Sequence, residues 1–220
     1  MILKKTLQLS LLIIMIFSFS CEQSGKKVES TEAKLVTENK TKRTTKYNKI
    51  KHGSTINWTA THLGGLDPRE GKIYLEKATI SVENKQVVNA NIVIEMDSMT
   101  VDNIPEDGAK ELVDHLKTAD FFDIKKYPTS KFELTKSELI KDEYDYKFTG
   151  NLTILGVSKS ISFKSNINIS ENEVSIKSEK FIINRADWGM TYNAKGTAGV
   201  PLDYLISDDV GFQIDVVISR

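Results

Sequence analysis

From residue 53 onward the chain alternates between apolar and polar positions. Ile56, Trp58 and Ala60 are separated by Thr55, Asn57 and Thr59. Val88, Ala90, Ile92, Ile94 and Met96 keep the same step, and Phe132 and Leu134 continue it. Tyr146, Phe148, Leu152 and Ile154 alternate with Lys147, Thr149, Asn151 and Thr153. Ile161, Phe163, Ile167 and Ile169 follow, and Val210, Phe212, Ile214, Val216 and Ile218 close the chain. A period of two marks strands with one dry face and one wet face. The pattern predicts eight: 54–61, 71–81, 86–97, 129–137, 144–154, 160–169, 173–183 and 209–219. Short turns at 83–85, 141–143, 155–159 and 170–173 join most of them into an antiparallel meander. The parity slips between Ser178 and Phe181, which predicts a bulge.

One helix interrupts the strands, at about 105–118, between the third and fourth. Pro105, Glu106 and Asp107 suit a helix start. Ala109, Leu112, Val113 and Leu116 then fall on a single stripe. The adjacent Phe121 and Phe122 lie just past its end and extend that apolar surface, before Tyr127-Pro128 turns the chain into the next strand. Eight one-sided antiparallel strands can form a two-sheet sandwich or a closed barrel. An eight-stranded barrel is filled by its own side chains or holds one small ligand. Small inner positions such as Ala60, Ala90, Gly150 and Ser165 permit a cavity.

The N-terminal part reads differently. Lys4 and Lys5 precede an apolar run from Leu7 to Phe19, a pattern expected of a secretory signal peptide over residues 1–20. Cys21, the only cysteine, follows directly. A single cysteine makes no internal disulfide, and its place after the apolar run resembles a bacterial lipobox, with Ser18 where leucine is usual. Lipidation at Cys21 would anchor the chain to a membrane. Residues 22–52 carry nine Lys/Arg against four Asp/Glu and few large apolar residues, so 21–52 is expected to be a lipidated, disordered tether. Residues 53–220 carry 19 Lys/Arg against 26 Asp/Glu. An acidic domain is a poor partner for phosphate backbones, so no nucleic acid is expected.

Three blocks of the domain resemble a known family in order and spacing: HLKTADFFDIKKYPTSKF (115–132), GNLTILGVSKSISF (150–163), and INRADWGMTY (183–192) with ISDDVGFQIDV (206–216). They are similar to the YceI-like, polyisoprenoid-binding proteins, with Trp188 in place of a more usual Phe. The resemblance implies a lipocalin-like eight-stranded antiparallel barrel over 53–220. It also implies an elongated apolar cavity for a long isoprenoid or other amphiphile. No cofactor other than such a bound lipid is implied, and no catalytic residue. The large inward residues expected to line the cavity are Trp58, Ile92, Ile94, Leu116, Phe121, Phe122, Phe132, Phe148, Leu152, Phe163, Phe212 and Ile214. Arg185 and Asp187 flank one alanine, so on a strand they would point the same way and pair at the rim. With Trp188 and Tyr192 they are the candidates for the mouth and the ligand head-group, an arginine being suited to phosphate or quinone oxygens.

The histidines are His52, His62 and His115, and none sits in a metal or hydrolase motif. His115 is expected to be structural, so an enzyme is not expected. The sequence thus points to a lipid-anchored carrier of a long-chain amphiphile in the bacterial envelope, at the outer membrane facing the periplasm, with a homodimer allowed. The rival reading is a structural or protein-interaction barrel without a lipid ligand.

Overall fold

The alternating stretches become strands because each exposes one face to solvent and turns the other onto a shared interior. The computed structural model describes residues 24–36 and 44–220. In chain order the elements are β1 (Lys26–Lys27), β2 (Thr31–Glu32), β3 (Thr45–Tyr47), β4 (Lys49–Ile50), β5 (Thr55–Ala60), β6 (Arg69–Glu83), β7 (Gln86–Glu95), α1 (Glu106–Leu116), β8 (Thr129–Leu139), β9 (Tyr146–Ile154), β10 (Val157–Ile169), β11 (Glu173–Ser178), β12 (Phe181–Asn184) and β13 (Asp209–Ser219). Strands β5 to β10 pair in sequence as an antiparallel meander, except that α1 lies between β7 and β8. β11 and β12 both pair with β13 and act as one interrupted strand. β13 then meets β5, with Phe212 opposite Trp58 and Ile214 opposite Ile56, and the barrel closes with eight strands.

The break between β11 and β12 is the expected bulge. The Ser178 hydroxyl oxygen accepts from the Ile214 amide at 2.8 Å, which satisfies a β13 donor that the ladder leaves over. Two hairpins use positive φ at both central residues, Asn84-Lys85 and Leu155-Gly156. That backbone matches the twist of the flanking strands.

Inside, aromatic rings touch from strand to strand around the wall. Phe163 stacks on Phe181 at 4.9 Å between centroids and also meets Phe132 at 5.5 Å and Phe148 at 6.2 Å. Phe181 reaches Phe212 at 6.0 Å. Gly150 makes room for this row: a Cβ there would lie 2.3 Å from the Phe132 ring.

The two ends are closed differently. At the end holding the 84–85 and 170–173 turns, β3 pairs with β6 and β4 with β13. Tyr47 is buried there and donates to the Ser170 carbonyl at 2.7 Å. At the other end lie α1, the turns of 118–127 and the 185–208 segment. α1 buries no residue fully and rests half-exposed on the barrel.

The disordered tether expected over 21–52 is corrected by these contacts wherever the chain is described. Residues 44–52 belong to the barrel. Residues 24–36 form a strap over a gap in its wall. β10 pairs with β11 only from Ser165 to Ile169, and β12 pairs with β13 on one side alone, so β10 and β12 diverge toward the α1 end. The strap fills that space: β1 runs parallel to β12, and β2 pairs antiparallel with Lys159 and Ser160 of β10. Val28 packs against the hydrophobic core between them. Main-chain pairing, not apolar composition, holds this segment, which is why its polar sequence reads as a linker. The expected signal peptide over 1–20, the expected lipidation site Cys21 with residues 22–23, and residues 37–43 lie outside the described residues.

Candidate ligand-binding cavity

The barrel encloses a cavity of about 200 Å³. That is far more than the roughly 10–15 Å³ one water requires. No polar atom opens on its wall. All twelve residues expected on the wall are there: Trp58, Ile92, Ile94, Leu116, Phe121, Phe122, Phe132, Phe148, Leu152, Phe163, Phe212 and Ile214. Each strand from β5 to β13 contributes, because period two sends every second side chain inward. Sequence reading missed residues from outside regular strands, notably Met99, Met190 and Ile206. Their inward direction is set by irregular backbone, which alternation does not report.

Two residues on the wall depend on close approach. The Trp58 indole N–H donates to the Thr100 carbonyl at 3.2 Å. This contact exists because Gly71 has no side chain: a Cβ would sit 1.9 Å from the Thr100 oxygen and 3.0 Å from the Trp58 nitrogen. At the α1 end, Phe121 and Phe122 both reach the cavity. The Phe121 ring meets His115 at 5.1 Å and Tyr192 at 5.2 Å. His115 Nε2 lies 2.9 Å from Asp120 Oδ2, so this histidine ties the helix end to the turn that carries Phe121. The stretch Asp114 to Phe132 thus closes one end of the barrel and forms part of the cavity wall.

The group expected at the mouth is redistributed. Asn184 accepts the Ala186 amide at 2.9 Å and starts a short 3₁₀ turn over Arg185–Trp188, which Gly189 ends at φ 85°. On a turn, residues two apart do not share a face, so Arg185 and Asp187 do not pair. Asp187 instead accepts from the Ser30 hydroxyl of the strap. Trp188 is fully buried and its indole N–H donates to the Leu152 carbonyl at 3.0 Å. Tyr192 covers His115 and Phe121 from outside the cavity. Of the four, only Arg185 borders the cavity, and it does so from inside the protein, 3% exposed.

Arg185 is held by the 190–208 segment. Its Nε donates to the Ser207 carbonyl at 3.1 Å, and one Nη donates to Tyr192 at 2.9 Å and Ile206 at 3.5 Å. Asp208 lies 3.4 Å from the same Nη. The other nitrogen, Nη1, is buried without a hydrogen-bond partner among the described residues, and so is Oδ1 of Asp208. Burial pushes the guanidinium below the ordinary arginine range, and the Asp208 charge opposes that shift. An unmet buried donor costs roughly 1–3 kcal/mol, more when charged.

No group of three or more His, Cys, Asp or Glu residues is placed to hold a metal among the described residues. Nor is any described helix long and apolar enough to cross a membrane.

A closed antiparallel barrel around an apolar cavity is the build of a binding barrel. A YceI-like domain model matches residues 47–218, and the chain belongs to that family. A UPF0312 protein of Pectobacterium carotovorum is 30% identical over 89 residues, 40% of this chain and 42% of the relative. Another, of Pseudomonas putida, is 43% identical over 54 residues, 24% of this chain and 28% of that one. The matches span less than half the length of these relatives. Among solved structures, BcnA of Burkholderia cenocepacia superposes with a TM-score of 0.58 at 18% identity, over 74% of this chain and 95% of that one. It shares the fold. The Campylobacter jejuni YCEI protein gives 0.50 at 26% identity, over 65% and 80%.

Proposed function

We propose that the chain is a lipid-anchored carrier that holds a polyisoprenoid or similar long-chain amphiphile inside its barrel. The observation that supports this reading is a cavity whose wall exposes no polar atom. Burying several hundred Å² of apolar chain at about 25 cal/mol per Å² contributes roughly 10 kcal/mol before association costs. Such a ligand needs no network of polar contacts. The proposed anchor is Cys21, and the proposed place is the outer membrane, facing the periplasm. Its support is the charged-apolar-cysteine order of the N-terminus.

The test is native mass spectrometry of the full chain, purified without denaturant. A bound hydrophobic species of several hundred daltons that extracts into organic solvent supports the carrier. An unchanged ligand-free mass after incubation with long-chain isoprenoids sinks it. Cys21→Ala should move the protein out of the membrane fraction, and unchanged partitioning would refute the anchor.

One observation favours the rival, a protein-interaction barrel. Leu66, Leu202 and Tyr204 are 58%, 77% and 61% exposed. His62 gathers them, since its amide donates to the Leu66 carbonyl and its Nδ1 bonds the Asp203 carbonyl.

A further inference from the structure

Leu66, Leu202 and Tyr204 form one exposed patch at the α1 end of the barrel. Leu66 lies on the 61–68 loop between β5 and β6, and the other two on the 3₁₀ turn Leu202–Tyr204. The two loops are locked together by main chain. The Leu63 amide donates to the Leu205 carbonyl at 2.7 Å, and the Ser207 amide to the Thr61 carbonyl at 2.9 Å. The patch is therefore preformed, and its side chains are held outward by a bonded backbone. Contiguous exposed apolar groups of this kind mark contact with a protein or a membrane.

The chain beyond the described residues bears on which of these it is. Residues 37–43 hold no large apolar side chain that could cover the patch. Ser24 borders a surface groove with Thr59 and Glu70. Those two residues pair across β5 and β6, one step inside the ends of the loop that carries Leu66. Cys21 is three residues before Ser24, at most about 11 Å of extended chain. An anchor at Cys21 thus keeps lipid within reach of this loop. Charge narrows the kind of surface. Asp67, next to Leu66, is held by both Nη atoms of Arg69 at 2.5 and 2.6 Å. Residues 53–220 as a whole carry 19 Lys/Arg against 26 Asp/Glu, so an anionic surface repels the domain and a zwitterionic one does not.

We propose that Leu66, Leu202 and Tyr204 dock on a zwitterionic lipid surface, and that with the chain anchored at Cys21 they hold the α1 end of the barrel against the bilayer. The leucines enter the acyl boundary and the tyrosine phenol stays at headgroup level. Phe121 and Phe122, which close the cavity at that end, then stand next to the lipid. The orientation rests on the Cys21 anchor; the docking itself does not.

The test uses the full chain with phosphatidylcholine vesicles. With the chain on vesicles, amide exchange over 61–66 and 202–206 should slow, while the turns at 84–85 and 170–173 at the opposite end stay unchanged. Leu66→Ser with Leu202→Ser, checked by melting temperature, should remove the slowing and leave the chain anchored. The Cys21→Ala chain, titrated with the same vesicles, should bind weakly and lose about tenfold in partitioning with the two serines. Added phosphatidylglycerol should weaken that binding. Unchanged exchange on the vesicle overturns the docking, leaves the anchor standing and returns the patch to a protein partner. If the unaltered chain does not stay with vesicles, the anchor and the orientation fall, and the Cys21→Ala titration decides the docking. Tighter binding with phosphatidylglycerol overturns the zwitterionic class.

Discussion

Asn151 grips the main chain of Lys34 from both sides. Its Oδ1 accepts the Lys34 amide at 2.9 Å and its Nδ2 donates to the Lys34 carbonyl at 2.7 Å. A single buried side chain thereby does what a neighbouring strand would do, and it fixes the far end of the strap over β9. Asn151→Ala leaves both Lys34 groups without these partners. The expected cost is about 1–3 kcal/mol, read by urea denaturation. Hydrogen exchange at Lys34 should accelerate far more than exchange in β13.

Gly71 and Gly108 should respond in opposite directions. Gly71→Ala drives a Cβ to within 1.9 Å of the Thr100 carbonyl oxygen, a backbone atom that cannot step aside. A loss of about 1–3 kcal/mol is expected, with a change in tryptophan emission as Trp58 leaves Thr100. Gly108 lies inside α1, and its Cβ would meet nothing closer than 3.7 Å. Gly108→Ala should stabilise by up to about 1 kcal/mol. Thermal melts of the two variants check the pair.

On the proposed carrier function, Phe121 and Phe122 join folding to retention of the ligand. Phe121 is 8% exposed and lines the cavity while touching His115 and Tyr192. Phe121→Ala should cost about 3–5 kcal/mol; Phe122→Ala, at a half-buried position, should cost less. Both should speed release of a bound lipid. Lower stability with unchanged release would make the stretch a core element alone.

Tyr146 sets an alkaline limit. Burial raises its phenol above the ordinary value, and the Asp145 charge adds to that. The unfolded phenol ionises near 10, whereas the folded one stays neutral to higher pH. Its contribution is complete below the unfolded value and is lost as pH rises through 10 toward the folded value. Melting temperature should fall across that window, and Tyr146→Phe should flatten the fall. An equal slope in the two proteins would assign the loss to other groups.

The barrel was legible because alternation is a direct record of which face is wet, and each of the eight strands carries it. The bulge at Ser178–Phe181 showed as a slip in parity. Residues 24–36 were not legible: only Val28 packs on the core, and the rest are held by backbone pairing and by polar contacts such as Ser30 with Asp187 and Lys34 with Asn151, which leave no mark on apolar patterning. Nine of the twelve inward residues could be named from the strands, and Leu116, Phe121 and Phe122 from the helix stripe and its continuation, but Met190 and Ile206 lie on irregular backbone. The expected Arg185–Asp187 pairing does not form because the block is a 3₁₀ turn and not a strand. Asn184 as a cap and Gly189 five residues later are the usual marks of a short helical turn, and they were present in the sequence.

The divergence of β10 and β12 has one more consequence. A closed barrel has no free edges, and this one owes its closure on that side to the strap. A chain trimmed to begin at residue 44 would keep every barrel strand yet bare two rows of N–H and C=O groups, on β10 and on β12, that the strap pairs. Exposed edges of that kind recruit strands from other molecules. The polar segment that looks dispensable is, on this view, the protein's guard against self-association.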